Sequence, residues 1–139
     1  MIINSPEEMF ELGKRIGSKL QAGDVILLRG ELGAGKTALT RGIGKALGIS
    51  DVSSPTFVIS KIYQSGRVPL IHVDAYRLMD SELAGFDDLD LESRIPTSIT
   101  VVEWGDGYVQ RITDKFITVA ISFGNSDSER IVEIEGLEL

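Results

Sequence analysis

Apolar residues recur every three or four positions over Met9, Leu12, Ile16 and Leu20, the spacing of one buried helical stripe. Just ahead stand Ser5, Pro6, Glu7 and Glu8, with Ser5 in the N-cap position, Pro6 at the first helical residue and Glu8 completing a capping box. The pattern predicts a packing helix ahead of the first strand, ended by Gln21, Ala22, Gly23 and Asp24. Four consecutive apolar residues, Val25 to Leu28, predict a buried strand. A second helix follows over Ala38, Leu39, Ile43, Ala46 and Leu47, with Gly48 as its stop. Thr56 to Tyr63 and Val68 to Asp74 predict an antiparallel pair about the turn Gln64, Ser65, Gly66, Arg67. Ile99 to Val102 is another strongly apolar strand, and Phe116 to Phe123 with Arg130 to Ile134 forms a last hairpin across Gly124, Asn125, Ser126 and Asp127. The stretch from Ala75 to Ile95, with apolar points at Leu78, Leu83, Phe86, Leu89 and Leu91, predicts short helices broken near Gly85 and ended by Pro96. With no internal repeat and no linker, residues 1–139 predict one α/β domain, a mixed parallel and antiparallel sheet flanked by helices.

Between the first apolar strand and the second helix lies Gly30-Glu31-Leu32-Gly33-Ala34-Gly35-Lys36-Thr37. It matches the phosphate-binding P-loop pattern in spelling and in context, strand before and helix after. Glycines let several backbone N–H groups converge on one anion, and the helix start adds the positive end of its dipole. In such loops the lysine, here Lys36, reaches the β- and γ-phosphates, and the hydroxyl, here Thr37, ligates magnesium. Glu31, Leu32, Gly33, Ala34, Gly35, Lys36 and Thr37 are therefore the expected nucleotide contacts. The start of the first helix, near Ser5, either touches the base of the nucleotide or is simply a cap.

Composition narrows the chemistry. The chain has no cysteine and a single histidine, His72, which removes disulfides, thiolate metal sites and histidine-rich metal sites. A net charge of −7 argues against a broad nucleic-acid surface. No apolar run is long enough to span a membrane, and Met1 to Phe10 lacks the basic start and apolar stretch of a signal peptide. The expected setting is the cytoplasm.

Hydrolysis also requires a carboxylate near the metal and a group that orients water. Asp74 and Glu103 each close an apolar run, and strand ends beside the P-loop would bring either near the metal. Thr56 stands where switch-type NTPases carry a threonine that senses the γ-phosphate, or is only the start of a strand. Arg41 and Arg77 are candidate neutralising charges, with surface ion pairing as the alternative. His72, between apolar neighbours, reads as a packed, hydrogen-bonded histidine. Trp104 reads as a lid over the nucleotide, a partner contact or a core residue. The absence of an Asn-Lys-x-Asp motif favours ATP over GTP.

Four segments in this order, the P-loop, Ser54-Pro55-Thr56-Phe57, His72-Val73-Asp74-Ala75-Tyr76-Arg77-Leu78 and Glu103-Trp104, resemble the bacterial TsaE (YjeE) family. The resemblance covers nearly the whole chain and is looser from Asp80 to Ile95. It implies a P-loop ATPase needed to make threonylcarbamoyladenosine next to the anticodon of tRNA. It also implies TsaD and TsaB as partners, with tRNA met through their complex. Carried over by motif, it makes Thr37 and Glu103 magnesium ligands, Thr56 the switch threonine, Asp74 an acid needed for activity and Trp104 a site residue, with Arg130 matching an arginine near the nucleotide. Lys36, Asp74 and Glu103 are then the catalytic set, with ATP and magnesium as the bound groups. Turnover of the isolated chain is expected to be slow, because no arginine is clearly placed as a finger in cis. A small-molecule kinase and a non-catalytic ATP-binding switch subunit are the competing readings.

Overall fold

A computed structural model of the chain describes residues 1–53, 60–74, 91–104 and 109–139. Its elements are β1 (Ile2–Ile3), α1 (Pro6–Lys19), β2 (Val25–Arg29), α2 (Lys36–Ala46), β3 (Ser60–Tyr63), β4 (Leu70–Asp74), the single turn α3 (Leu91–Arg94), a 3-10 turn (Ile95–Thr97), β5 (Ile99–Glu103), the single turn α4 (Val109–Ile112), β6 (Ile117–Phe123) and β7 (Arg130–Glu135). The seven strands form one sheet in the order β1-β7-β6-β2-β5-β4-β3. The four central strands, β6, β2, β5 and β4, run parallel, and antiparallel strands complete both flanks. The mixed α/β sheet expected from the apolar pattern is thus the observed fold.

The N-cap forms as predicted, but only half of the capping box does, since the Glu8 carboxylate meets the Ser5 hydroxyl at 3.5 Å rather than its backbone N–H. The Glu8 N–H donates to Ser5 Oγ at 3.1 Å, and Pro6 occupies the first turn of α1. At the other end of the P-loop helix, Gly48 adopts φ +89 and donates to Lys45 O, while Ile49 donates to Gly44 O, a Schellman stop. The helical turn at Val109–Ile112 was not expected, and two further details differ from expectation. A two-residue strand, β1, precedes α1, paired with β7 through Ile2 and Ile131 and too short to show any alternation. Pro96 sits inside a 3-10 turn rather than beyond a helix.

The parallel strands alternate between two cores. Ile26, Leu28, Leu70, Ile99, Val101 and Val119 pack with Leu39 and Ile43 of α2 and with Met9, Leu12 and Ile16 of α1. Val25, Leu27, Ile71, Val73 and Val102 face the other way, against Ile95 and Val109. The alternation puts His72 and Asp74 of β4, and Glu103 of β5, on the α2 side.

Helices α1 and α2 approach at backbone contact. An added Cβ at Gly13 would lie 2.1 Å from the Leu39 carbonyl oxygen, and one at Gly42 2.1 Å from that of Phe10. Only residues without a side chain fit this crossing, which fixes the start of α1 beside the P-loop.

Candidate functional site

Two helix starts meet near the P-loop, and they are finished differently. The first turn of α1 is capped by Ser5 and carries Glu7 and Glu8. The first turn of α2 has neither a side-chain cap nor an acidic residue, and its N-cap Gly35 lies in the left-handed region at φ +112. The leading amides of any helix lack an intrahelical acceptor. Those of Lys36 and Thr37 therefore open on the loop with the helix dipole behind them, a setting for an anion.

The P-loop residues occupy three environments. Glu31, Leu32 and Gly33 form the exposed tip, with Leu32 at 92% exposure, and a tight turn brings the Ala34 N–H onto Glu31 O at 3.0 Å. Ala34 is buried, and Thr37 is half-buried in the first turn of α2. Lys36 is buried at 7% exposure. Its Nζ donates to the Gly30 carbonyl at 2.5 Å, lies 4.1 Å from the Trp104 ring centroid and 3.8 Å from Glu103 Oε1. Burial lowers the Lys36 pKa below the ordinary lysine value, and the negative charges of Glu103 and Asp74 oppose that shift.

Glu103 is the last residue of β5 and is also buried. Its carboxylate is divided: Oε1 faces Lys36, and Oε2 is hydrogen-bonded to His72 Nε2. Half-buried Asp74 ends β4 directly opposite Glu103 in the parallel register. The two acids picked out as strand ends thus stand side by side at one edge of the P-loop. Trp104 follows at φ +60, a left-handed conformation costing a bulky residue about 1–2 kcal/mol. That bend carries its indole back over Lys36, leaving it 37% exposed.

A cleft lies on each side of the loop. One, of about 310 Å³, runs between the start of α1 (Ser5, Pro6, Met9), the loop residues Gly33 to Gly35 with Ala38, and the β6–β7 turn. Arg130 closes it, donating to the carbonyls of Asp127 at 2.7 Å, Glu129 at 2.9 Å and Gly33 at 3.4 Å. The other cleft, about 440 Å³, is bounded by Arg29, Glu31, Trp104 and Phe123. Arg41 is engaged elsewhere, its Nε donating to Val52 O at 3.1 Å. Thr56 and Arg77 lie outside the described residues, as do Ser54 to Phe57 and Ala75 to Leu78 of the matched segments.

Sequence reasoning missed the Asp127–Ser128 wall, for which a polar hairpin turn gives no signal; it read His72 as packed and hydrogen-bonded, as it is, but did not name Glu103 as its partner. The spacing of His72 and Asp74, two apart on one strand and hence on one face, was the available clue. Among the described residues no three His, Cys, Asp or Glu side chains gather into a metal site. A P-loop magnesium needs no such cluster, because a hydroxyl, one carboxylate, water and the nucleotide's phosphates suffice. Thr37 with Glu103 or Asp74 offers that donor set.

A family model described as threonylcarbamoyl adenosine biosynthesis protein TsaE matches residues 3–132. The chain belongs to the TsaE family. A TsaE from Streptomyces coelicolor, named as a tRNA threonylcarbamoyladenosine biosynthesis protein, is 46% identical over 135 residues, spanning 93% of this chain and 90% of that one. The TsaE of Bacillus subtilis is 35% identical over 129 residues, covering 91% and 79% of the two chains. The crystal structure of Bacillus subtilis YdiB superposes with a TM-score of 0.74 at 31% identity, covering 95% of this chain and 80% of that one. TsaE membership therefore rests on sequence and on fold alike, and the resemblance read from four short segments holds across the whole sheet. Among the described residues no helix is long and apolar enough to cross a membrane.

Proposed function

We propose that this TsaE-family protein binds ATP with magnesium and hydrolyses it in the cytoplasm, in support of threonylcarbamoyladenosine modification of tRNA next to the anticodon. Homologues of TsaB and TsaD are its partners, and tRNA is met through their complex. One observation carries the reading: an uncapped helix start, a buried lysine and two strand-end carboxylates converge on a single glycine-rich loop.

The amides of Gly33 to Thr37 and the Lys36 ammonium take the phosphates. On taking a phosphate, Lys36 exchanges its contacts with the Gly30 carbonyl and the Trp104 ring for the phosphate oxygens. Thr37 and Glu103 hold the magnesium ion, which when bound neutralises charge on the terminal phosphates. Asp74 or Glu103 orients the attacking water, and the β–γ phosphoanhydride bond breaks to give ADP and phosphate. The cleft between the start of α1 and Arg130 adjoins Gly33 and Ala38, and its size and position suit the ribose and base. Adenine is favoured because the chain lacks the Asn-Lys-x-Asp motif that reads guanine.

The isolated chain turns over slowly, since among the described residues Arg41 is tied to the Val52 carbonyl and Arg130 to those of Asp127, Glu129 and Gly33, leaving neither guanidinium free to act as a finger. The test is ATP hydrolysis by the purified chain alone and with TsaB and TsaD homologues. Lys36→Ala should abolish nucleotide binding, and Glu103→Gln should retain binding while lowering hydrolysis to a residual rate readable in single turnovers. Fast turnover without partners would count against this reading. Full modification activity in Glu103→Gln would replace it with the ATP-binding switch.

A further inference from the structure

An imidazole sits where the sheet would otherwise be aliphatic. His72 is completely buried, on the face of β4 that packs toward α2, following Leu70 on that face and paired in register with Val101. An aliphatic residue would fill such a position without a polar group to satisfy. Among the described residues the ring makes one hydrogen bond, from Nε2 to Glu103 Oε2, and its Nδ1 has no partner. With Glu103 as the carboxylate, Nε2 carries the hydrogen of this contact, because a carboxylate offers only lone pairs. Among the described residues the ring therefore ties no loop and caps no helix. Its single polar connection is to the acid that ends the neighbouring strand.

We propose that His72 is a positioning residue for Glu103, pinning Oε2 so that Oε1 is presented to Lys36 and the phosphate side of the P-loop. The proposal rests on the reading of Glu103 as a metal-holding or water-orienting acid. A glutamate has three side-chain torsions, and fixing them in advance is how a site avoids reorganising when its ligand arrives. The register shows why β4 is the right place for the anchor. Asp74 stands level with Glu103, so the residue two back on the same face, His72, reaches the Glu103 carboxylate from below while Lys36 meets it from the loop. Without the anchor, Glu103 is free to close on the Lys36 ammonium with both oxygens and occupy the phosphate position itself.

The test compares wild type, His72→Phe, His72→Gln, Glu103→Gln and the double variant His72→Phe with Glu103→Gln. In magnesium-ATP assays His72→Phe should lower kcat about ten- to a hundredfold while ADP binding without magnesium changes less than about threefold. His72→Gln, whose amide donates from near the Nε2 position, should recover much of that loss. In the Glu103→Gln background His72→Phe should cost nothing further, because its effect passes through the missing carboxylate. A purely structural histidine would instead give additive losses and no rescue by glutamine, and either result overturns the proposal. If His72→Phe fails to fold, His72→Leu takes its place under the same expectations. An independent reading comes from the ring itself: ¹⁵N NMR should find hydrogen on Nε2 of His72, and hydrogen on Nδ1 alone would refute the contact. Should the wild-type chain show no hydrolysis at all, the ATPase reading fails separately. The anchor is then judged by the NMR result and by magnesium-dependent tightening of ADP binding, which His72→Phe should lose and whose retention would overturn it.

Discussion

Gly42→Ala is a one-carbon test of how the helices hold the site. The added Cβ would lie 2.1 Å from the Phe10 carbonyl oxygen and 2.9 Å from both Gly13 Cα and Lys14 N. All three are backbone atoms of α1, so no rotamer change relieves the clash, and carbon–oxygen contact at about 3.3 Å requires the helices to part by about 1 Å. Overpacking of this kind costs about 3 kcal/mol at the upper end of the usual range. Replacing glycine by alanine inside a helix returns about 1 kcal/mol. The net loss of about 2 kcal/mol corresponds to a fall in Tm of about 6–10 °C for a chain of this size. Gly44→Ala is the internal comparison, because its Cβ meets a movable side-chain atom, Val52 Cγ2, at 2.5 Å, and so should cost less. Thermal unfolding followed by circular dichroism reads both. A Gly42→Ala chain as stable as wild type, or more stable, would refute the reasoning, since it would mean that the crossing is not in backbone contact. The same shift should loosen the cleft between Ser5–Met9 and Gly33–Ala38, so nucleotide affinity should fall with stability.

Ser5→Ala removes the acceptor for the Glu8 N–H and should lower stability by about 1 kcal/mol in denaturant titrations. Titrating ATP with magnesium should change Trp104 fluorescence, because phosphate draws Lys36 away from the indole it faces at 4.1 Å; Lys36→Ala should abolish the response, and an unaltered spectrum on saturation measured by calorimetry would contradict that contact. Burial lowers the Lys36 pKa, so between that lowered value and about 10.4 the unfolded chain holds more protons and stability rises with pH, the penalty being constant below the window. Lys36→Met should flatten that rise in urea unfolding series run from about pH 7 to 10.5, and identical slopes in both chains would count against a desolvated ammonium.

Local chemistry made much of this molecule readable in advance. Ser5, Pro6 and Glu8 announce α1 because a cap is a contact within four residues, and Val25 to Leu28 announces β2 because a strand covered on both faces needs no polar alternation. Asp74 and Glu103 were legible as the polar ends of apolar runs. What escaped depends on register and packing between distant segments. The His72–Glu103 pair exists only because β4 and β5 align His72 with Val101, and nothing in either strand alone encodes that offset. Gly13 and Gly42 are ordinary helix glycines until the two helices are laid together. β1 was invisible because two residues carry no period, and the cleft wall at Asp127 and Ser128 because a turn reveals its position only once β7 returns beside β1.

The central strand β2 pairs on both sides with strands from the second half of the chain, β5 and β6, and with neither of its neighbours in sequence. A nascent or partly folded chain therefore has the glycine-rich loop early but lacks the β5 acid that faces its lysine until the distant strand has inserted. Such non-local parallel pairing makes folding slow for the chain's size. Nucleotide binding should be among the last properties to return on refolding, trailing the helical signal of α1 and α2. Any ligand that needs both the loop and the β5 acid will then stabilise the sheet as a whole, because the two meet only when the sheet is complete.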